Sequence, residues 1–199
     1  MARLARVVAV DIPYHVTQRA NALRFILDSD SDKLVYSDLL RQYCPLYELS
    51  LLGYCLMSNH VHLVVIPRKI DSLLLTLKNT HGRYATYWNA SHTSSGHAWQ
   101  GRFYSCPLDL THLWRALRYT ELNPVRARMV STAEAYRWSS AGAHCGSASP
   151  IWHWKLSCGN SNGIPKPGKN IFPKPEQKTM PRKSGNARTP AVPWEEWNL

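Results

Sequence analysis

The chain has 199 residues, of which 44% are hydrophobic, so it is long enough to bury the core of one domain. It carries 24 Lys and Arg against 13 Asp and Glu, a formal net charge of +11. This excess favours a polyanionic partner, with nucleic acid ahead of an anionic membrane. The five cysteines are widely spaced and lack a Cys-x-x-Cys motif, which argues against a disulfide framework and indicates a reducing compartment.

No apolar stretch is long enough for a signal-peptide core or a membrane span. We therefore expect a cytoplasmic protein with no membrane partner. The sequence leaves a monomer and a homodimer equally open.

The first half of the chain predicts a strand, a helix and a hairpin. Residues 14–19 alternate and are rich in β-formers, which predicts a strand. Asp30 or Asp32 is predicted to cap a helix that runs to about Tyr43 and that Pro45 ends. Two adjoining strands are predicted over residues 47–57 and 60–66, joined as a hairpin.

The second half predicts two further helices and a strand. A helix is predicted over residues 71–90 and a strand over 102–107. A third helix is predicted from Thr111 to Asn123, because Pro124 disfavours helical backbone at the residue before it. Strands and helices mix without regular alternation, which predicts an α+β fold with an antiparallel sheet.

The composition changes after residue 146. Residues 164–193 hold seven of the 13 prolines, with many Lys, Gly, Asn and Ser. Such a segment buries too little apolar surface to offset its ordering entropy. We predict one domain over residues 1–146 and a disordered, basic, Pro-rich tail over 147–199.

Two sets of residues suggest chemistry. His60 and His62 are two apart on a predicted strand, so both imidazoles lie on one face and can hold a divalent metal.

On the third helix, Tyr119 and Asn123 are one turn apart and are predicted to lie roughly opposite an apolar stripe. That stripe consists of Leu110, Leu113, Trp114 and Leu117. Nearby side chains that can contact phosphates are Arg115, Arg118, Arg126 and Arg128.

The motifs together resemble those of the REP-associated tyrosine transposases, a branch of the HUH single-tyrosine, IS200-like transposases. The segments that carry the resemblance are, in chain order, YHVTQR at 14–19, MSNHVHL at 57–63, WQGRF at 99–103, RYTELNPVRA at 118–127 and WSS at 138–140. The resemblance covers residues 5–146. It implies a ferredoxin-like antiparallel sheet flanked by helices.

The resemblance also implies a function. His60 and His62 match the metal-binding histidines, Asn123 matches a third ligand, and Tyr119 matches the nucleophile. The expected activity is Mg²⁺- or Mn²⁺-dependent cleavage and rejoining of single-stranded DNA at hairpins of repetitive extragenic palindromes, through a 5′-phosphotyrosine. The implied setting is a bacterial nucleoid. We expect five arginines to bind this DNA: Arg19, Arg102, Arg115, Arg118 and Arg126.

Two departures from the family and two rival functions remain. The family has Gly where this chain has Ala20, and a positive φ there would suit alanine poorly. The tail also differs from the family's C-terminal region.

One rival is a non-catalytic hairpin-binding protein derived from a transposase. The other is a structural zinc module that would join His60 and His62 to His81 or His97 and a cysteine. The remaining histidines, including His15, are assigned structural or solvated roles.

Overall fold

The protein is described by a computed structural model over residues 7–146. Four strands form one antiparallel sheet in the order β2-β3-β1-β4. Their bounds are β1 Tyr14–Arg19, β2 Leu49–Leu56, β3 His60–Pro67 and β4 Tyr104–Pro107. The helices are α1 Asp30–Leu46, α2 Ser72–Ser91, α3 Leu110–Arg126 and α4 Ala141–His144. Short 3₁₀ turns lie at Asn21–Leu23 and Ala133–Ala135.

The connectivity confirms the predicted fold class. The chain runs β1-α1-β2-β3-α2-β4, a ferredoxin-like arrangement, before α3 is added. The predicted tail over residues 147–199 lies outside the described residues. Within residues 7–146, none of the helices combines the length and hydrophobicity that a bilayer crossing needs.

The alternation of β3 separates the two faces of the sheet. Val61, Leu63 and Val65 are buried in the larger core cluster, which also holds residues of α1 and α2. Val64, on the other face, packs against α3 in a smaller cluster. His60 and His62 share the face of Val64, since they are four and two residues from it. The imidazoles therefore point to the α3 side of the sheet.

Both helices that contain a proline extend past it, so the predicted ends at Pro45 and Asn123 are wrong. The first helix ends at Leu46, one residue after Pro45, and α3 continues through Pro124 to Arg126. The cap of α1 is Ser29 rather than the predicted Asp30 or Asp32, because Asp32 completes a capping box from the third helical position. Each proline lies in the last turn of its helix, so it removes one i→i−4 hydrogen bond but only one or two helical residues follow the distortion. The buried Pro124 also packs on the sheet side of α3, which offsets its poor helix propensity.

Helix α3 is rotated relative to the predicted stripe. Its buried residues are Leu113, Ala116, Leu117, Thr120, Glu121 and Pro124, whereas Leu110 is 57% exposed and Trp114 is half-buried. Leu110 is the first residue of α3, and the buried contacts begin one turn later. Because the rotation is towards Ala116 and Thr120, Tyr119 and Asn123 border the buried face. The prediction that they lie opposite it is wrong.

Gly53 on β2 allows α3 to approach the sheet closely. A Cβ at this position would lie 2.5 Å from Leu117 Cδ2 and 3.2 Å from Ser140 Oγ. We expect Gly53→Ala to lower the free energy of unfolding by about 1–3 kcal/mol, because the extra methyl overpacks this contact. Urea unfolding of the full chain measures the change.

Gly82 provides the matched control for that substitution. It lies within α2, and apart from the backbone of its own helix no atom is within 4 Å of the position that a Cβ would take. Gly82→Ala should therefore stabilise the chain by up to about 1 kcal/mol through helix propensity. Equal effects of the same sign at the two positions would contradict the packing argument.

Candidate metal and nucleophile site

The strand pairing of β1 with β3 builds the floor of the site. His60 is paired with Arg19 and His62 with Thr17, so these side chains share one face. The imidazole centroids of His60 and His62 lie 4.9 Å apart, with an interplanar angle of 82°. The two rings are thus adjacent and nearly perpendicular.

Burial keeps both imidazoles in the neutral form. It lowers the pKa of His60 to about 4, and the positive charge of Arg19 acts in the same direction. Burial also lowers the pKa of His62 well below its ordinary value, with His60 as the next largest cause. Only a neutral imidazole has a lone pair for a metal, so the site has the protonation state that a ligand needs.

Helix α3 places the two predicted residues next to His62. The amide Nδ2 of Asn123 lies 3.0 Å from His62 Nε2. The ring of Tyr119 lies 5.6 Å from that of His62, edge-on at 76°. Residues four apart in sequence stack on one side of a helix, so the phenol and the amide reach the same imidazole.

His15 also belongs to this group, although the sequence interpretation did not select it. Its Nε2 lies 3.1 Å from His62 Nδ1, and the two rings are stacked at 5.3 Å with an interplanar angle of 13°. The sequence offers one signal that His15 could belong to the site. The alternation of β1 puts His15, Thr17 and Arg19 on one face. That signal has no meaning until the pairing of β1 with β3 is known.

Three of the five predicted DNA-binding arginines surround Tyr119. Arg115, Arg118 and Arg126 line an open cavity of about 250 Å³ together with Tyr119 and Leu122. The Arg126 guanidinium carbon lies 4.5 Å from the centre of the Tyr119 ring. The cavity therefore combines positive charge with a phenol, as a site for a phosphate would.

The other two predicted arginines lie outside this cavity. Arg19 is opposite His60, as described above. Arg102 is exposed in the loop before β4, and the neighbouring Gly101 accepts a hydrogen bond from the Gln18 side chain. Neither of these two residues lines the cavity around Tyr119.

The loop after β1 does not strain Ala20. Ala20 has an extended backbone with φ −65° and ψ 148°, so alanine fits there without a glycine. Positive φ values occur further along, at Ala22 (50°) and Leu23 (56°). The concern that Ala20 would disturb this loop is therefore wrong.

The donor set fits a divalent cation. His60 Nδ1 lies 2.7 Å from Asn59 Oδ1, and His62 Nδ1 contacts His15, so Nε2 is the nitrogen of each ring that would bind a cation. The Asn123 amide presents Nδ2 to His62 Nε2, and it would bind a cation only after turning its oxygen towards the site. Over residues 7–146, no three His, Cys, Asp or Glu side chains converge as a metal site. A cation here would be held by His60, His62 and the amide of Asn123.

The geometry does not join these histidines to His81. His81 is on α2, where its Nε2 lies 3.0 Å from the Tyr36 hydroxyl and its ring packs against Trp99. Tyr36 and Trp99 belong to the core cluster on the opposite face of the sheet from Val64. A zinc module made of His60, His62 and His81 would have to pass through the sheet.

Comparisons with known proteins identify the family and the fold of this chain. A family profile described as Transposase IS200 like matches residues 8–123. A solved structure described as a REP-associated tyrosine transposase bound to a REP hairpin has a TM-score of 0.58 at 12% identity. The match covers 79% of this chain and 94% of that one, so the two share a fold.

A second structure, described as a transposase from Deinococcus radiodurans R1, has a TM-score of 0.41 at 16% identity, and the match covers 59% of this chain and 95% of that one. No curated protein sequence is significantly similar. The family profile spans more than half of the chain and contains both histidines, Tyr119 and Asn123. The chain therefore belongs to the Transposase IS200 like family.

Proposed function

We propose that this transposase cuts and rejoins single-stranded DNA through a covalent bond between Tyr119 and the DNA. One observation carries the proposal. The Tyr119 ring lies 5.6 Å from His62 at the edge of an arginine-lined cavity, and Asn123 contacts the same imidazole. A nucleophile, two neutral imidazoles and an open basic cavity with room for a phosphate are thus adjacent.

The chemistry follows from the order of these groups. Arg115, Arg118 and Arg126 attract a phosphate of the strand into the cavity. The Tyr119 oxygen attacks the phosphorus, and the bond from phosphorus to the 3′ oxygen breaks. The phenolic proton leaves, and the departing oxygen takes up a proton to become a 3′-hydroxyl. The product is a 5′-phosphotyrosine.

The covalent product makes rejoining possible without ATP. The phosphotyrosine keeps the phosphodiester bond's energy, so another 3′-hydroxyl can attack it and release Tyr119. A Mg²⁺ or Mn²⁺ ion bound by His60, His62 and Asn123 would neutralise negative charge that develops on the phosphate. The residues of the chain then need only hold the strand, orient the phenol and exclude competing water.

The proposed substrate is a DNA hairpin with single-stranded flanks. The structure that shares this fold is described as bound to a REP hairpin. The formal net charge of +11 and the arginines of α3 suit a nucleic-acid backbone. We place the chain in the REP-associated branch on the motifs that it shares with that branch.

A strand-specific labelling assay tests the proposal. The full chain is incubated with Mn²⁺ and a hairpin oligonucleotide that carries a label in either its 5′ or its 3′ half. A 5′-phosphotyrosine attaches protein to the 3′ half only, which appears as a shifted band on a denaturing gel. Attachment to the 5′ half, or cleavage without any adduct, would contradict the mechanism.

Salt dependence tests the arginine cavity. The binding constant should fall with salt by a log–log slope of about 0.7 for each neutralised phosphate of a single strand. The double variant Arg115→Gln, Arg118→Gln should therefore lower the slope by about 1.4. Fluorescence anisotropy over a salt series measures both slopes.

Arg41→Gln is the control for the arginine variants. Arg41 is an exposed α1 residue that pairs with Asp38, and α1 packs on the opposite face of the sheet from α3. This variant should keep the parent slope. An unchanged slope in the double variant, or an equal change in the control, would remove the α3 arginines from DNA binding.

A further inference from the structure

Three side chains from three elements form a continuous chain of contacts through His62. Asn123 from α3 reaches Nε2 of the ring at 3.0 Å, and His15 from β1 reaches Nδ1 at 3.1 Å. His15 is only 4% exposed, so little solvent can replace it as the partner of Nδ1. Both nitrogens of His62 therefore have fixed protein neighbours.

The direction of the hydrogen bonds follows from the groups involved. In the metal-free structure Asn123 turns its Nδ2 group to the ring, so His62 Nε2 accepts and carries no proton. A cation at Nε2 would displace that donor and bind the amide through its oxygen. A neutral imidazole has one proton, which then lies on Nδ1 and is donated to His15 Nε2. This is the tautomer in which the Nε2 lone pair faces α3.

We propose that His15 is a positioning residue that holds His62 in this tautomer and orientation, with Nε2 directed at the cation and phosphate site. The proposal rests on the function proposed above, in which His62 binds the cation. The partner of one imidazole nitrogen decides which nitrogen is protonated and how the ring is turned. His15 does this while stacked on His62, so it fixes the ring plane as well as the proton.

The contact differs from ordinary core packing of a histidine. His81 is also buried, and its ring nitrogen contacts the Tyr36 hydroxyl on the other face of the sheet. His15 instead contacts Nδ1 of His62, the imidazole that lies beside Tyr119. The His15 ring itself lies 6.4 Å from the Tyr119 ring. His81 is therefore a matched control, since it is a buried imidazole with a polar contact away from the site.

The test compares His15→Phe with His15→Gln in the full chain. Phenylalanine keeps a flat ring against His62 and removes the acceptor, whereas the glutamine amide oxygen can take the place of Nε2. Nitrogen NMR of the imidazoles, without metal, reports the His62 tautomer. Calorimetry with Mn²⁺ alone reports cation affinity.

We expect the parent chain and His15→Gln to hold the proton of His62 on Nδ1. In His15→Phe the Nδ1 proton loses its acceptor, and the Asn123 amide can turn its oxygen towards a protonated Nε2. The proton should therefore move to Nε2 in a large fraction of molecules. The Mn²⁺ affinity of the His15→Phe variant should fall about 10- to 100-fold, as is typical when the partner of a ligating histidine is lost. His81→Leu should leave the tautomer and the affinity unchanged.

Several outcomes would overturn the proposal. One is a folded His15→Phe with the parent tautomer and Mn²⁺ affinity. Another is a folded His15→Gln that behaves like the Phe variant, because packing rather than the hydrogen bond would then explain the effect. If His15→Phe does not fold, His15→Leu removes the acceptor with a smaller side chain and is judged by the same readouts.

The two readouts separate this proposal from the proposed function. A parent chain that does not bind Mn²⁺ would refute the cation site of His60 and His62. The tautomer comparison in the metal-free chain would still decide whether His15 positions His62.

Discussion

Tyr119→Phe should abolish the covalent adduct with DNA, lowering its rate of formation by about four orders of magnitude or more, as expected when the nucleophile of a covalent mechanism is removed. The variant lacks only the phenolic oxygen. The ring that lies under Arg126 and beside His62 is kept, so the fold and hairpin binding should be nearly unchanged. Adduct yield on a denaturing gel and binding by anisotropy measure the two effects.

Tyr104→Phe is the control for the loss of a phenol. Tyr104 is an exposed tyrosine on β4 with 62% of its surface accessible. It should form adduct at the parent rate. Adduct that persists in Tyr119→Phe, or that disappears equally in Tyr104→Phe, would exclude Tyr119 as the nucleophile.

Replacing both histidines of β3 should remove cation binding and cleavage together. In His60→Ala, His62→Ala the two imidazoles that would bind the cation are gone, and Asn123 alone cannot hold a divalent ion. We expect no saturable Mn²⁺ binding by calorimetry. Cleavage should fall to the background of the assay at any Mn²⁺ concentration used for the parent chain.

The control for this double variant uses two exposed histidines. His97 and His112 are both exposed, and the His112 ring contacts Asp109, the residue that caps its own helix. His97→Ala, His112→Ala should bind Mn²⁺ and cleave like the parent. Because His62 is buried, circular dichroism must show that the β3 variant is folded. Cleavage retained in a folded β3 variant would dismiss the cation site.

Local patterns were enough to predict most of the secondary structure. Residues 14–19 form β1 with the predicted bounds, and the hairpin of β2 and β3 joins at residues 57–59 as expected. These segments alternate or are strongly apolar, so their preferences are local. The ends of α1 and α3 were wrong because a proline in the last turn of a helix is tolerated when packing supports that turn.

The position of α3 could not be predicted in the same way. Its apolar residues permit more than one face to be buried, and packing against Val64 and Gly53 selects the face with Ala116 and Leu117. The small residues at Ala116 and Gly53 decide how closely the helix lies. That choice turns Tyr119 and Asn123 towards His62.

That His60 and His62 share a face follows from their spacing alone, because side chains alternate along a strand. The same holds for Tyr119 and Asn123, which are one helical turn apart. Whether these two pairs meet, and whether His15 joins them, depends on how the sheet and α3 pack together. Strand register and helix rotation depend on contacts between residues far apart in the chain, here 47 positions for His15 and His62 and 61 for His62 and Asn123.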